Sequence, residues 1–401
     1  RLMKPHGAIP HWFDQHRLTA ASAAVTTTPA FVYDLQIVND KIAALRAALP
    51  EGVAIHYAMK ANPFPEMVAA IVPLVDGIDI ASGGELRIAL KAGAKRISFA
   101  GPGKRDSELE AAIAARITIN VESAGEARRA LAIADRLGIR PRLAVRVNPN
   151  FALKGSGMKM GGGATAFGVD AENAASLVRT IIESGADWRG FHIFAGSQSL
   201  NSAAIAATQA ATIVLAGQLA DEAGAEPPLV NVGGGFGIPY FANELPVDLA
   251  TIGERLGEAI NDRPASLSGS RFAVELGRWL VGECGVYFTR VVDRKASRGE
   301  VFLVTDGGLH HQLAASGNFG TVVRRNYPIA IVGKLETPAT ETVNVVGCLC
   351  TPLDRLGDQV LLPRADVGDM IAVFMAGAYG ATASPASFLG HGPADEIVIG
   401  R

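Results

Sequence analysis

The sequence predicts an α/β protein: a (β/α)8 TIM barrel joined to a second, all-β domain. Three observations predict it. Eight short runs rich in β-branched and apolar residues alternate with amphipathic helical segments up to residue 276. Beyond residue 280 such runs follow one another with turns and little helix between them. A chain of 401 residues, 49% hydrophobic and 19% charged, exceeds one small domain and can fill a sizeable core. An open, doubly wound sheet is the alternative, because strand count alone does not close a barrel.

The eight runs are "VAIHYAMK" (53–60), "GIDIAS" (77–82), "RISFAG" (96–101), "ITINVES" (117–123), "RLAVRVN" (142–148), "GFHIFAGS" (190–197), "LVNVGG" (229–234) and "RFAVEL" (271–276). Between them lie segments such as "SAGEARRALAIADRLG", where Ser123 and Glu126 have capping-box spacing and Gly138 follows the last turn. Another is "AENAASLVRTIIESG" (171–185). The later strands are "GVYFTRVVDRK", "EVFLVTDGG", "TVNVVGCLC", "QVLLPRA" and "MIAVFMAGAY". "PAFVYDL" (29–35) is also strand-like and is grouped with them. The expected division is therefore a barrel over 36–272 and a β domain from 1–35 and 273–401. After the fifth run, the Gly-rich "KGSGMKMGGGATAFG" (154–168) is long enough to act as a mobile lid.

Composition narrows the function. The formal net charge is -2 and Lys and Arg are scattered, so there is no electrostatic footprint for nucleic acid. Three cysteines, Cys284, Cys348 and Cys350, cannot staple a chain of this length, which suits a reducing cytoplasm. The opening "RLMKPHGAIPHWF" lacks the apolar core of a secretory signal. "AATQAATIVLAGQLADEAGA" is interrupted by polar residues too often to be expected to span a bilayer. A cytoplasmic protein with no membrane partner is the expectation.

The chemistry should sit at the C-terminal strand ends, where barrels of this kind place their active sites. Lys60 ends the first run. Strand alternation puts it on one face with Ala54, His56 and Ala58, small neighbours that leave room, and puts Val53, Ile55, Tyr57 and Met59 on the other. It is either a lysine snorkelling to solvent or an amine held to form a Schiff base. Asp79 to Ser82 end the second run, Arg146 lies near the end of the fifth, Ser197 follows the sixth and Glu275 ends the eighth. The glycines of "GGGFG" (233–237) follow the seventh, where this fold commonly cradles phosphate on backbone N–H groups. An amine, a phosphate cradle and a carboxylate fit pyridoxal 5′-phosphate, whose ring acts as an electron sink when its nitrogen stays protonated. Metal binding is the weaker reading, since His310 and His311 are adjacent and would not share one strand face; no metal site is expected.

With "YAMKAN", "DIASGGEL", "AGSQ", "GGGFG", "ELGR", "CTPLD" and "GAY" in place, the chain resembles the fold-type III pyridoxal-phosphate decarboxylases, the ornithine and diaminopimelate decarboxylase family. The resemblance runs from "TPAFVYD" to "GAYGATAS". It implies that Lys60 is the Schiff-base lysine and Glu275 the partner of the pyridine nitrogen. It implies Ser197, Gly234, Gly235, Arg278 and Tyr379 at the phosphate end, with Gly277 in the same cofactor-binding motif. Asp79 and Arg146 would support the lysine and cofactor from the barrel floor. Phe194 occupies the place of the family's ring-stacking histidine, with His192 one step deeper on the same face. A homodimer with shared sites is implied, in which Cys350 reaches the neighbour's site and reprotonates the carbanion left by CO2 loss. Its plain alternative is a small buried hydrophobe.

Departures from the family pattern bear on substrate. Leu276 and Cys348 stand where prolines are common. Diamine-specific members carry an acid directly after the cysteine; here that residue is Thr351. The arginine used for a substrate carboxylate is missing from "HHQLAASGNFG". Thr351, Asp354 and Arg278 are the expected substrate contacts. A buried ammonium without a carboxylate partner would cost several kcal/mol, so free ornithine or diaminopimelate fits poorly. "CTPLDRLGD" and "LAASGNFG" are similar to the branch holding carrier-protein glutamyl decarboxylases and the decarboxylases associated with exosortase A systems. There the amino acid can arrive as a thioester on a carrier protein. The competing readings are a diaminopimelate decarboxylase of lysine biosynthesis, a racemase of the same barrel fold, and an inactive relative that binds the cofactor to regulate.

Overall fold

A computed structural model describes residues 7–155, 157–159, 161–317 and 325–400. The chain forms two bodies. One comprises residues 41–238 and 246–277, the other residues 1–40, 239–245 and 278–401.

The first body is a closed parallel barrel. Its strands are Ala54–Ala58, Gly77–Ile80, Ile97–Phe99, Thr118–Val121, Arg142–Asn148, Asp187–Ile193, Leu229–Gly234 and Arg271–Leu276; they are called barrel strands one to eight. Each pairs with the next, and strand eight returns to strand one through Glu275 beside His56. The eight sequence runs are the eight strands, and closure excludes the open sheet. Residues along these strands are buried almost without a break, as expected where helices cover the outside and side chains fill the inside. The body runs to Gly277, past the expected limit at 272, because Arg271–Leu276 is one uninterrupted barrel strand.

The helices start and stop on local chemistry. Ser123 Oγ accepts the Glu126 N–H at 3.0 Å, and Gly138 ends Ala124–Leu137 in the left-handed region. The Glu126 carboxylate does not close the box; it turns inward to Lys104 Nζ, 2.6 Å away. The Ala-rich stretch corrects an expectation. As helix Ser202–Ala223 it is long and apolar enough, by length and composition, to cross a membrane. More than half of that apolar window is buried within the protein, as in a core helix.

The second body is mostly β. Ile329–Ile331, Met370–Val373, Gly285–Ser297, Glu300–Thr305, Glu341–Val346 and Arg355–Leu362 lie side by side in that order. Ala30–Asp34 joins antiparallel to Gly285–Ser297 and parallel to Asp395–Ile399, so the early strand-like run belongs with this body. Ile329–Ile331, Asp395–Ile399 and the helix Gln15–Ala23, capped by Asp14, were not foreseen. One expected strand is shortened: "TVNVVGCLC" leaves the sheet at Val346, and both cysteines lie in the turn that follows.

Candidate active site

The lysine of strand one sits differently from its strand-face expectation. The strand stops at Ala58, and Lys60 occupies a single 3-10 turn, Met59–Ala61. Two prolines enforce the stop. Pro63 biases Asn62 toward extended backbone, and Pro65 opens the next helix. The buried Tyr57 hydroxyl donates to the Asn62 carbonyl at 2.8 Å and braces the turn. Lys60 is exposed, and its Nζ lies 5.6 Å from the centroid of the Phe194 ring.

Below it the barrel interior is polar. Strand register puts Glu275 beside His56, and Arg146 beside His192, which is also level with Asn231. His192 Nε2 lies 2.6 Å from Glu275 Oε2, both groups buried. Burial alone would raise the Glu275 carboxyl, but His192, Lys60 and Arg146 outweigh it and hold it down to about 2. The carboxylate is therefore ionised, and His192 Nε2–H donates to it. His56 Nδ1 lies 3.1 Å from Asp79 Oδ1. Burial opposes a charge on His56, yet Asp79 and Glu275 more than offset it and raise its pKa. Arg146 NH1 meets Glu122 Oε1 at 2.8 Å, and Glu122 also accepts the Gly101 and Gly168 N–H groups. Burial would raise Glu122, but chiefly Arg146 lowers it. Arg146 is thus neutralised on site, with its guanidinium 5.2 Å from the Phe167 ring.

The glycines after strand seven answer to crowding. A Cβ on Gly234 would fall 2.1 Å from the Glu275 carbonyl, and one on Gly235 would fall 2.6 Å from the Gly196 carbonyl. Gly235 also has φ +75°, where a side chain is strained. Ser197 Oγ, close by in the chain after strand six, is buried and has no hydrogen-bond partner in the protein. The described part of the Gly-rich loop is tied to this same place: Met158–Lys159 pairs antiparallel with Gly196–Ser197. Ser156 and Met160, part of the expected lid, lie outside the described residues. Gly277 follows strand eight at a point where a Cβ would meet the Ala58 carbonyl at 2.9 Å.

A cavity of about 750 Å³ opens at the other end of this barrel, among the strand N-termini. Lys95, Arg96, Arg116, Arg142 and Arg271 line it, and His56 and His192 form part of its lining too. Some of these cations serve the fold: Arg142 donates to the Arg116 carbonyl and Arg46 to those of Val53 and Leu74. The sequence reading did not find this cavity.

The second body carries the remaining candidates. Arg278 NH1 donates to Tyr240 Oη at 2.6 Å, and its guanidinium lies 4.7 Å from the Tyr379 ring centroid. Tyr379 has φ +54°, an uncommon backbone state for a tyrosine. Tyr240 was missed, because residues 239–245 interrupt the barrel sequence yet belong to this body. Cys350 is exposed, which removes the reading of it as a buried hydrophobe. Thr351 is half-buried, and its Oγ1 accepts the Leu353 N–H at 3.4 Å. Asp354 corrects the expectation of a substrate contact. It is only 2% exposed, and its two carboxylate oxygens accept the Leu309 and Leu349 N–H groups at 2.7 and 2.8 Å. It braces two turns instead. The end of "HHQLAASGNFG", from Asn318 to Gly320, lies outside the described residues.

Residues 35–282 match a family profile described as "pyridoxal-dependent decarboxylase, pyridoxal binding domain". Over 394 residues the chain is 34% identical to an L-glutamyl-(BtrI acyl-carrier protein) decarboxylase from Niallia circulans, covering 96% of this chain and 91% of that protein. It is 30% identical to a diaminopimelate decarboxylase from Aquifex aeolicus, covering 88% of this chain and 82% of that one. Among solved structures, a mutant diaminopimelate decarboxylase from Helicobacter pylori complexed with L-lysine superposes with a TM-score of 0.82. The identity there is 28%, over 94% of this chain and 92% of that one.

Proposed function

We propose, from the premise that this chain belongs to the pyridoxal-dependent decarboxylases, that it removes the α-carboxylate of an amino acid presented on a carrier protein. The enzyme is a pyridoxal-5′-phosphate-dependent carboxy-lyase. Its own residues suit that cofactor. Ser197 Oγ is buried and unpartnered beside glycines that no side chain could replace, which fits a phosphate. Glu275 is a buried, ionised carboxylate, which fits a protonated ring nitrogen.

Bound there, the cofactor supplies an electron sink for the electron pair freed by loss of CO2. The protein does the rest. Lys60 would hold the cofactor's aldehyde carbon through its amine. Glu275, oriented by His192, would keep a proton on the ring nitrogen. Phe194 offers a ring face but no proton. Ser197, Gly234, Gly235, Gly277, Arg278 and Tyr379 would hold the phosphate, while Asp79 and Arg146 support the floor. Cys350 would donate the proton that replaces CO2. We assign it to the partner's site in a homodimer, and its exposure is compatible with that reach. A reducing cytoplasm suits its free thiol.

The observation that carries the substrate reading is Thr351. It leaves a neutral group where a distal ammonium needs an anion, and the Niallia circulans relative, whose name specifies a carrier-bound glutamyl group, aligns over nearly the whole chain. Missing one charge-assisted hydrogen bond, worth about 1.5–3 kcal/mol, lowers kcat/KM by about 10- to 100-fold. The test is CO2 release from L-glutamyl thioester on an acyl-carrier protein against free glutamate, ornithine, lysine and diaminopimelate. The carrier-bound substrate should be preferred, and Thr351→Asp should raise turnover of free diaminopimelate. Efficient use of free diaminopimelate by the unmodified enzyme would overturn the reading and favour an ordinary diaminopimelate decarboxylase.

A further inference from the structure

In the β domain a cluster of side chains has no part in the chemistry above. His310 is fully buried, and neither of its ring nitrogens has a hydrogen-bond partner in the protein. Buried imidazoles are normally paired through at least one nitrogen, so this ring is missing a ligand. Its neighbours supply two more soft donors. Cys348 Sγ lies 3.9 Å from His391 Nε2, and a nitrogen of His310 joins them so that all three donor atoms fall within 4.8 Å of one another. Stacking on His311, with centroids 3.8 Å apart, explains how the His310 ring packs but not why both nitrogens are bare.

The surroundings hold these three residues in place through groups that are not donors themselves. The Asp354 carboxylate accepts the N–H of Leu309, one residue before His310, and that of Leu349, one residue after Cys348. It thereby locks the two turns together. Gly308 and Gly347 permit the approach, since a Cβ on either would fall 2.2 Å from an Asp354 oxygen. The third donor is fixed from the other side. Tyr287 Oη lies 3.1 Å from His311 Nδ1, and His311 Nε2 donates at 2.9 Å to the carbonyl of Gly392, next to His391. Outer groups of this kind set the orientation of ligands in metal sites.

We propose that His310, Cys348 and His391 bind a divalent cation of the zinc class. Two imidazoles and a thiolate are donors that this ion prefers, in tetrahedral geometry with a fourth position left for water. Bond lengths of about 2.0–2.1 Å to nitrogen and about 2.3 Å to sulfur place such donors roughly 3.3–3.6 Å apart. Cys348 and His391 are exposed, so torsions of their side chains can close the remaining gap. Binding displaces the thiol proton of Cys348 to solvent, so affinity rises with pH. Cys348, a departure from the usual proline two residues before Cys350, then has a function: the ion pins the turn from which Cys350 projects.

The experiment is titration of the purified holoenzyme with Co2+ alone, followed in the visible region beyond the cofactor's absorbance and then reversed with Zn2+. Tetrahedral d–d bands should saturate at one Co2+ per chain and vanish on adding Zn2+. Cys348→Ser and His391→Ala, both at exposed positions, should weaken binding by about 10-fold or more. Cys350→Ser should leave the bands unchanged. Absence of tetrahedral bands, or bands that survive both Cys348→Ser and His391→Ala, would overturn the proposal. Neither result depends on turnover, so it stands or falls apart from the decarboxylase reading.

Discussion

Lys60→Ala enzyme is expected to fold normally and to lose turnover by about 10⁴-fold or more, the scale on which removing a covalent nucleophile acts. Normal folding follows from exposure: Lys60 fills no core space, so truncating it leaves no cavity. The large kinetic loss follows from its place on a turn braced by Tyr57, beside Phe194 and within the electrostatic reach of Glu275. Lys60→Arg separates charge from nucleophilicity, because a guanidinium stays protonated and cannot attack an aldehyde. Both variants should therefore be inactive in a CO2-release assay, and both should lose the cofactor's lysine-bound absorbance band. Arginine restoring activity would reduce Lys60 to an electrostatic role.

Mixing two inactive variants should restore activity. If Cys350 serves the partner's site, a dimer of one Lys60→Ala subunit and one Cys350→Ala subunit has one site missing both groups and one site missing neither. Random exchange in an equal mixture makes half the dimers hybrids, so turnover should approach about a quarter of that of the unmodified enzyme. Each variant alone should stay inactive at the same concentration. A mixture as inactive as its parents, with subunit exchange verified by differential tagging, would place Cys350 in its own chain's site or outside the chemistry.

The barrel was legible because its signals are local. Each strand is a short β-rich run, and helix ends are written in residues such as Ser123 and Gly138. The strand-end residues Glu275, Arg146 and Ser197 could be placed by counting along those runs. What escaped was set by contacts distant in sequence. Lys60 left its strand face because two later prolines end the strand early. Asp354 looked like a substrate ligand until the backbone N–H groups of Leu309 and Leu349 came to its oxygens. His192 was seen only as a neighbour of Phe194; its pairing with Glu275 joins residues 83 apart in sequence, across the barrel interior. His310, Cys348 and His391 come from three separate segments, so no spacing motif announces them.

The central claim is that the amine at the mouth of strand one carries the cofactor, and one measurement addresses it directly. Holoenzyme reduced with borohydride, digested and mapped by mass spectrometry should carry the reduced pyridoxyl label on the peptide containing Lys60, at close to one label per chain. Unreduced enzyme should release the cofactor on denaturation and leave that peptide unlabelled. Stoichiometric label on another lysine, such as Lys104 or Lys154, with Lys60 unmodified, would contradict the account.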